Sequence, residues 1–117
     1  MNILKRNKDI ILRHENGEKL VDIAKDYGIH QGSISNYYYS FLVLVDKPYY
    51  DLVAALDINN QVAVKLLNAL ARYERDICCE LNAEFIRHIK REEFANCRGV
   101  GVAIMNGFDM LQESLKR

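Results

Sequence analysis

The sequence predicts an all-α protein in two parts: three short helices, then a small helical domain closed by a glycine-rich turn. Three observations predict it. Apolar residues recur at intervals of three and four along most of the chain. Only one proline interrupts the 117 residues. Glycines at Gly28 and at Gly99 and Gly101 stand where helices must end or approach closely.

Taken in order, residues from about Ile3 to His14 read as the first helix. Leu4, Ile11 and the neighbours Ile10 and Leu12 supply its buried face. Asn16-Gly17 breaks it. A second helix runs from about Glu18 to Tyr27, with Leu20, Ile23, Ala24 and Tyr27 on one face. Gly28 follows the last periodic residue, where the chain needs a left-handed backbone that glycine takes without steric cost. Ile29 turns inward, and a third helix begins near Gln31 with Ile34, Tyr37 and Tyr38 on its buried face. Ala24 is small where crossing helices approach, Gly28 makes the turn, and β-branched Ile34 follows. These offsets form the helix-turn-helix pattern.

The third helix is expected to continue through Phe41, Leu42 and Val45 and to project an apolar ridge. The run YYYSFLVLV is rich in strand formers, but its spacing from Ile34 stays in helical phase. Its outward residues are Gln31, Gly32, Ser33, Ser35, Asn36 and Tyr39, preceded by His30 in the turn. They are uncharged, mostly short and rich in hydrogen-bonding groups. Asn and Gln pair bidentately with adenine, Ser with either partner, and an aromatic edge meets a thymine methyl. The start of the helix also offers backbone N–H groups to a phosphate. Gln31, Ser33, Ser35 and Asn36 are therefore candidates for base contact, and Lys5, Arg6, Lys19, His30 and Tyr39 for the DNA backbone.

From Ile10 to Tyr38 the chain resembles the small helix-turn-helix domains of the resolvase/invertase and phage-regulator type. The resemblance rests on a leading helix ending at Asn16-Gly17-Glu18 and on the IA…YGI…SI…YY run after it. It covers about a quarter of the chain and implies a three-helix domain that binds double-stranded DNA. A recombinase-accessory reading rests on this resemblance alone, and no recombinase catalytic domain is expected with it.

Asp46-Lys47-Pro48 ends the third element, because proline disfavours a helical residue before it and lacks an N–H. Residues 1–45 are thus expected as the DNA-binding domain, 46–58 as a connector with a short helix near 51–56, and 59–117 as the second domain. Asn59-Asn60 would cap a helix carrying the stripe Ala63, Leu66, Leu67, Leu70 and Ala71. The pattern continues through Ile77 and Leu81, and then through Phe85, Ile86 and Ile89 on a helix starting near Asn82. Arg91 to Cys97 reads as one short turn carrying Phe94. The last helix holds Ile104, Met105, Phe108, Leu111 and Leu115, preceded by Arg98-Gly99-Val100-Gly101.

A G-h-G turn between helices brings unscreened N–H groups close to a phosphate or a neighbouring helix. With KLLNAL at 65–70 upstream, the block from Asp57 to Leu115 resembles the carboxy-terminal domain of the bacterial RNA polymerase alpha subunit, which contains a helix-hairpin-helix. The resemblance implies that Lys65 and Asn68 face the minor groove and that Gly101 is the hairpin glycine. Arg98 and Gly99 complete this secondary surface for DNA or a partner. The chain departs from that family after its glycine, where lysines and a serine give way to Val102, Ala103 and Ile104. Without a lysine the hairpin loses much of its attraction for phosphate. The competing reading is an apolar hairpin, Val100 to Ala103, that mediates dimerisation or binds another protein.

Charge sets the main constraint. Sixteen basic and sixteen acidic side chains cancel, so no global field draws the protein to a polyanion. The first 40 residues hold six basic side chains (Lys5, Arg6, Lys8, Arg13, Lys19, Lys25) against five acidic ones (Asp9, Glu15, Glu18, Asp22, Asp26). Weak phosphate contact per subunit favours a homodimer, which doubles it. The missing positive charge also supports a second reading, an adaptor or inhibitor that acts on RNA polymerase or another transcription protein. Met1 to Asp9 is polar and no apolar run is membrane-length, so neither export nor membrane insertion is expected. The three cysteines fit a reducing compartment, and the cytoplasm is the expected location.

No enzyme is expected. Cys78-Cys79, Cys97 and His88 form no CxxC or HxxxH pair, and adjacent cysteines do not easily turn toward one metal. The thiols are expected to be core or half-buried, since free cysteine behaves as a small hydrophobe. Neither a Ser-His-Asp spacing nor a Walker-type loop nor a carboxylate pair is present. His14 and His88 read as surface or boundary residues, and no cofactor or metal is expected.

Overall fold

The computed structural model describes residues 2–116 and, among them, helices and turns without a strand. The helices are α1 (Ile3–Glu15), α2 (Leu20–Tyr27), α3 (Gln31–Phe41), α4 (Tyr50–Ala54), α5 (Asn60–Ile77), α6 (Ala83–His88), α7 (Arg91–Ala95) and α8 (Val102–Leu115). No helix among the described residues is long and apolar enough to cross a membrane. The chain divides into two compact units, Met1–Asp46 and Lys47–Arg117.

In the first unit each of α1, α2 and α3 packs on the other two. Ile10, Ile23, Ala24 and Ile34 form the core, with Leu20, Tyr27 and Ile29 against it. Asn2 caps α1, its side-chain oxygen accepting from the N–H groups of Leu4 (2.9 Å) and Lys5 (3.2 Å). At the far end the Glu18 N–H donates back to the Arg13 carbonyl at 3.1 Å, closing the helix. Gly28 takes φ 67°, ψ 28°, and the Ile29 N–H reaches the Ala24 carbonyl at 2.9 Å. That backbone is the left-handed one that the spacing predicts, and it delivers Ile29 to the core.

Two expectations for this unit need correction. Leu12 is 48% exposed; the buried face of α1 is instead Leu4, Asn7, Ile10 and Ile11. At 100° per residue Leu12 falls a quarter-turn past Ile11 and leaves the core. The third helix stops at Phe41 and does not run to Val45. The Phe41 carbonyl accepts from both Leu44 and Val45 at 3.0 Å, so the last turn tightens into a bend before Pro48. No apolar helical ridge forms there: Phe41 and Val45 are buried while Val43 is 72% exposed.

The second unit is built around α5, which packs on α4 and α8, with α6 also against α8. Asn59 and Asn82 cap α5 and α6, accepting from the N–H groups of Gln61 at 2.7 Å and Phe85 at 2.8 Å. Leu66, Leu67, Leu70, Phe94 and Phe108 are fully buried, and the last two rings stack at 4.1 Å between centroids. Gly107 marks the close passage of α8 over α5: a β-carbon there would stand 3.4 Å from Leu66 Cδ2 and Val62 Cγ1. The 46–58 stretch, expected as a connector, carries α4 and buries Tyr49, Tyr50 and Val53 completely, so all but Asp46 belongs to this unit. Aromatic burial outweighs the loop-like composition around Pro48.

One buried carboxylate joins three segments of this unit. Glu74 of α5 is 7% exposed and takes the Lys47 ammonium at 2.7 Å, the Leu81 N–H at 2.8 Å and the Tyr49 hydroxyl at 3.3 Å. Burial pushes its carboxyl up, but these donors together outweigh burial and hold it below the ordinary carboxylate range.

Candidate nucleic-acid interface

The interface is built on α3. Ile34 and Phe41 turn it inward, and helical geometry then points the line Gly32, Asn36, Tyr39 and Ser40 outward. All four are exposed, Tyr39 to 69%. Gln31 is exposed beside this line, and Ser35, one turn on, is half-buried. Ser33 is half-buried on the opposite edge, one turn before Tyr37. Of the four residues expected to meet bases, Gln31 and Asn36 are the open ones. Ser40 was not among the candidates, although its position four residues after Asn36 is a legible signal.

His30 has a local task. It is the N-cap of α3, and its Nδ1 accepts from the Gly32 N–H at 3.0 Å. A neutral ring accepting at Nδ1 carries its proton on Nε2, which remains available as a donor. Gly32 permits this fold-back, since a β-carbon there would lie 3.2 Å from Nδ1. The Ser33 N–H bonds the His30 carbonyl at 2.9 Å. Two of the N–H groups expected to be open to a phosphate are therefore occupied, because the turn is short enough for its own residue to cap the helix.

The cations divide sharply. Lys5 and Lys19 are exposed, Lys19 as the N-cap residue of α2 without a side-chain cap bond. Arg6 is half-buried: Nε and Nη2 donate to Asn7 Oδ1 at 3.2 and 3.1 Å, and the guanidinium lies 4.6 Å from the Tyr37 ring centroid. Its charge is thereby held at the α1–α3 seam. Arg13 is fully committed, bidentate to Glu18 at 2.9 and 2.7 Å and bonded to Asp26 at 2.5 Å. These hydrogen bonds raise the arginine further and hold the Glu18 carboxyl below its usual range. The Tyr27 hydroxyl bonds Asp9, which raises the phenol and ties α2 to α1. His14 contacts Tyr38 edge-on at 4.9 Å, and Tyr38 contacts Tyr39 at 5.1 Å.

The secondary surface is partly assembled in the second unit. Lys65 and Asn68 are exposed on α5 at helical spacing, and Arg72 continues the same stripe. Arg98 is exposed. Gly99 takes φ 82° and packs on Arg72, whose Nη1 would stand 3.2 Å from a β-carbon at that position. Arg72 was not among the candidates; its place seven residues after Lys65 is the signal for it. Gly101 caps α8 in an extended conformation with open space around it, and Val102 is 81% exposed. Of the thiols expected to be core or half-buried, only Cys97 is half-buried; Cys78 and Cys79 are exposed, because they lie where α5 ends and the chain turns away from the core.

Comparison of the chain with family models, with curated proteins and with solved structures finds no match.

Proposed function

We propose that this chain binds double-stranded DNA in a sequence-specific way, as a small cytoplasmic transcriptional regulator of bacterial or phage type that needs neither catalysis nor cofactor. In this reading α2, the Gly28 turn and α3 act as a helix-turn-helix, with α3 in the major groove. The supporting observation is the outward line Gly32, Asn36, Tyr39 and Ser40, uncharged, exposed and on the face opposite Ile34 and Phe41, with Gln31 exposed at the first position of the helix. Asn36 and Gln31 read base edges, Ser33 and Ser35 assist from the flanks, and Tyr39 meets the sugar-phosphate edge. Lys5, Lys19 and the Nε2 of His30 hold the backbone, and the half-buried Arg6 supports them from the α1–α3 seam. A homodimer doubles these few charges, and the second unit oligomerises or contacts RNA polymerase or another transcription protein through Lys65, Asn68, Arg98, Gly99 and Gly101.

The test is selection of bound duplexes from a random pool by the full chain at low salt. A short, two-fold-symmetric site is the expected product, its half-site spacing reporting the distance between reading helices. A pool that stays random, with the protein folded, would reject the reading. A second reading then takes over, an adaptor that acts on transcription proteins without its own DNA specificity. The balanced charge and the commitment of Arg13 to two carboxylates favour it.

A further inference from the structure

A groove of about 450 Å³ opens in the second unit between α5, α6 and α7, and nothing in the DNA reading uses it. Its walls include Tyr73, Phe85, Ile89 and the carboxylates of Glu84 and Glu93. Phe85 was expected on a buried face but is 37% exposed, presenting a ring where its helix neighbours Ile86 and Ile89 are buried. The two carboxylates differ. Glu84 is answered by Arg87 at 3.1 Å and His88 at 3.0 Å. Glu93 accepts only the neutral Tyr73 hydroxyl, at 3.3 Å, and no basic side chain pairs with it among the described residues.

An unanswered carboxylate beside an exposed aromatic ring is the complement of a planar cation. A guanidinium donates two parallel N–H bonds to a carboxylate and stacks on an aromatic face, where an ammonium offers only a compact charge. We infer that this groove docks an arginine side chain from an exposed segment of a partner protein, with Glu93 as the anion, Phe85 as the stacking surface and Tyr73 holding Glu93 in place. This inference is independent of DNA binding by the first unit.

The probe is the peptide acetyl-Gly-Arg-Gly-amide, titrated into the full chain and followed by the ring resonances of Tyr73, Phe85 and His88. The same peptide with citrulline or lysine replacing arginine supplies the controls. Saturable shifts at those rings are expected with arginine, and binding about tenfold weaker with citrulline, which keeps the shape and loses the charge. Glu93→Gln, which still accepts from Tyr73, should weaken the arginine peptide by about fivefold or more with the unfolding temperature unchanged, and Phe85→Ala should do the same. Equal binding of the citrulline peptide, or unaltered affinity in Glu93→Gln, would overturn the assignment. Equal affinity for lysine would also overturn it, leaving a simple point-charge attraction.

Discussion

At the scale of single residues, the proposed interface depends on a few side chains whose roles differ in kind. Asn36 is exposed at the centre of the outward face of α3, and Lys5 is an exposed cation near the start of α1. Asn36→Ala should cost roughly 1–3 kcal/mol on the selected site and little on random DNA, because only the base-edge contact is lost. Lys5→Ala should weaken both to a similar extent, because a phosphate contact carries no sequence information. Parallel titrations of the two duplexes separate these outcomes, and an equal loss from Asn36→Ala would remove that residue from base reading. In the second unit, Glu74→Ala would strand the Lys47 ammonium and the Leu81 N–H. A loss of about 2–4 kcal/mol is expected in denaturant unfolding, since breaking a buried pair costs more than the pair contributes.

Glu74 also sets an acid limit. Its carboxyl is held low in the folded chain, so the folded state binds that proton less readily than the unfolded state. The stability it contributes is fully present above the unfolded value of 4.5 and disappears as pH falls through the lower folded value. Unfolding measured from pH 7 down to pH 3 should therefore show a decline that is shallower in Glu74→Gln. An unchanged slope would mean that other carboxylates set the acid limit.

At the scale of elements, two glycines matter for different physical reasons. Gly28 has open space around it but a positive φ of 67°, so Gly28→Ala should cost about 1–2 kcal/mol through backbone strain alone. Gly107 has no such angle; α8 lies close against Leu66 and Val62 there, with room for a β-carbon in contact at 3.4 Å and little beyond it. Gly107→Leu should force α5 and α8 apart, with about 1–3 kcal/mol lost to overpacking. Thermal unfolding of each variant, with circular dichroism to check helix content, measures both. These elements also show the reach of sequence reasoning. The cap at Asn59, the helix start near Asn82 and the turn at Gly28 were legible because each depends on residues within a turn of one another. The end of α3 was not, because in-phase apolar residues continued past Phe41 while the hydrogen bonds tightened there.

At the scale of the whole molecule, net neutrality makes the salt dependence of any DNA binding the most informative quantity. If a dimer places Lys5 and Lys19 of each copy on phosphates, affinity should fall by about a hundredfold between 50 and 200 mM salt, as expected for roughly four contacts. A nearly flat response would argue against backbone contact and for the adaptor reading. The candidate site was legible only as a face. The sequence placed Gln31, Asn36 and Tyr39 outward by periodicity, but it made Arg6 a backbone candidate and counted Arg13 only in the charge balance, with no sign of the contacts of either. Only the folded arrangement separates the arginine stacked on Tyr37 from the one held by Glu18 and Asp26.

By itself, then, the sequence determined the all-α class, most helix starts and the left-handed turn at Gly28, because these follow from interactions spanning three to five residues. The tertiary structure decided which cations stay open, which turn of α1 faces the core, that Tyr49 and Tyr50 are core rather than connector, and that Glu93, in the groove it shares with Phe85, pairs with no cation among the described residues. Each of those outcomes depends on neighbours far away in the chain. Their partners are chosen by packing, which local periodicity does not encode.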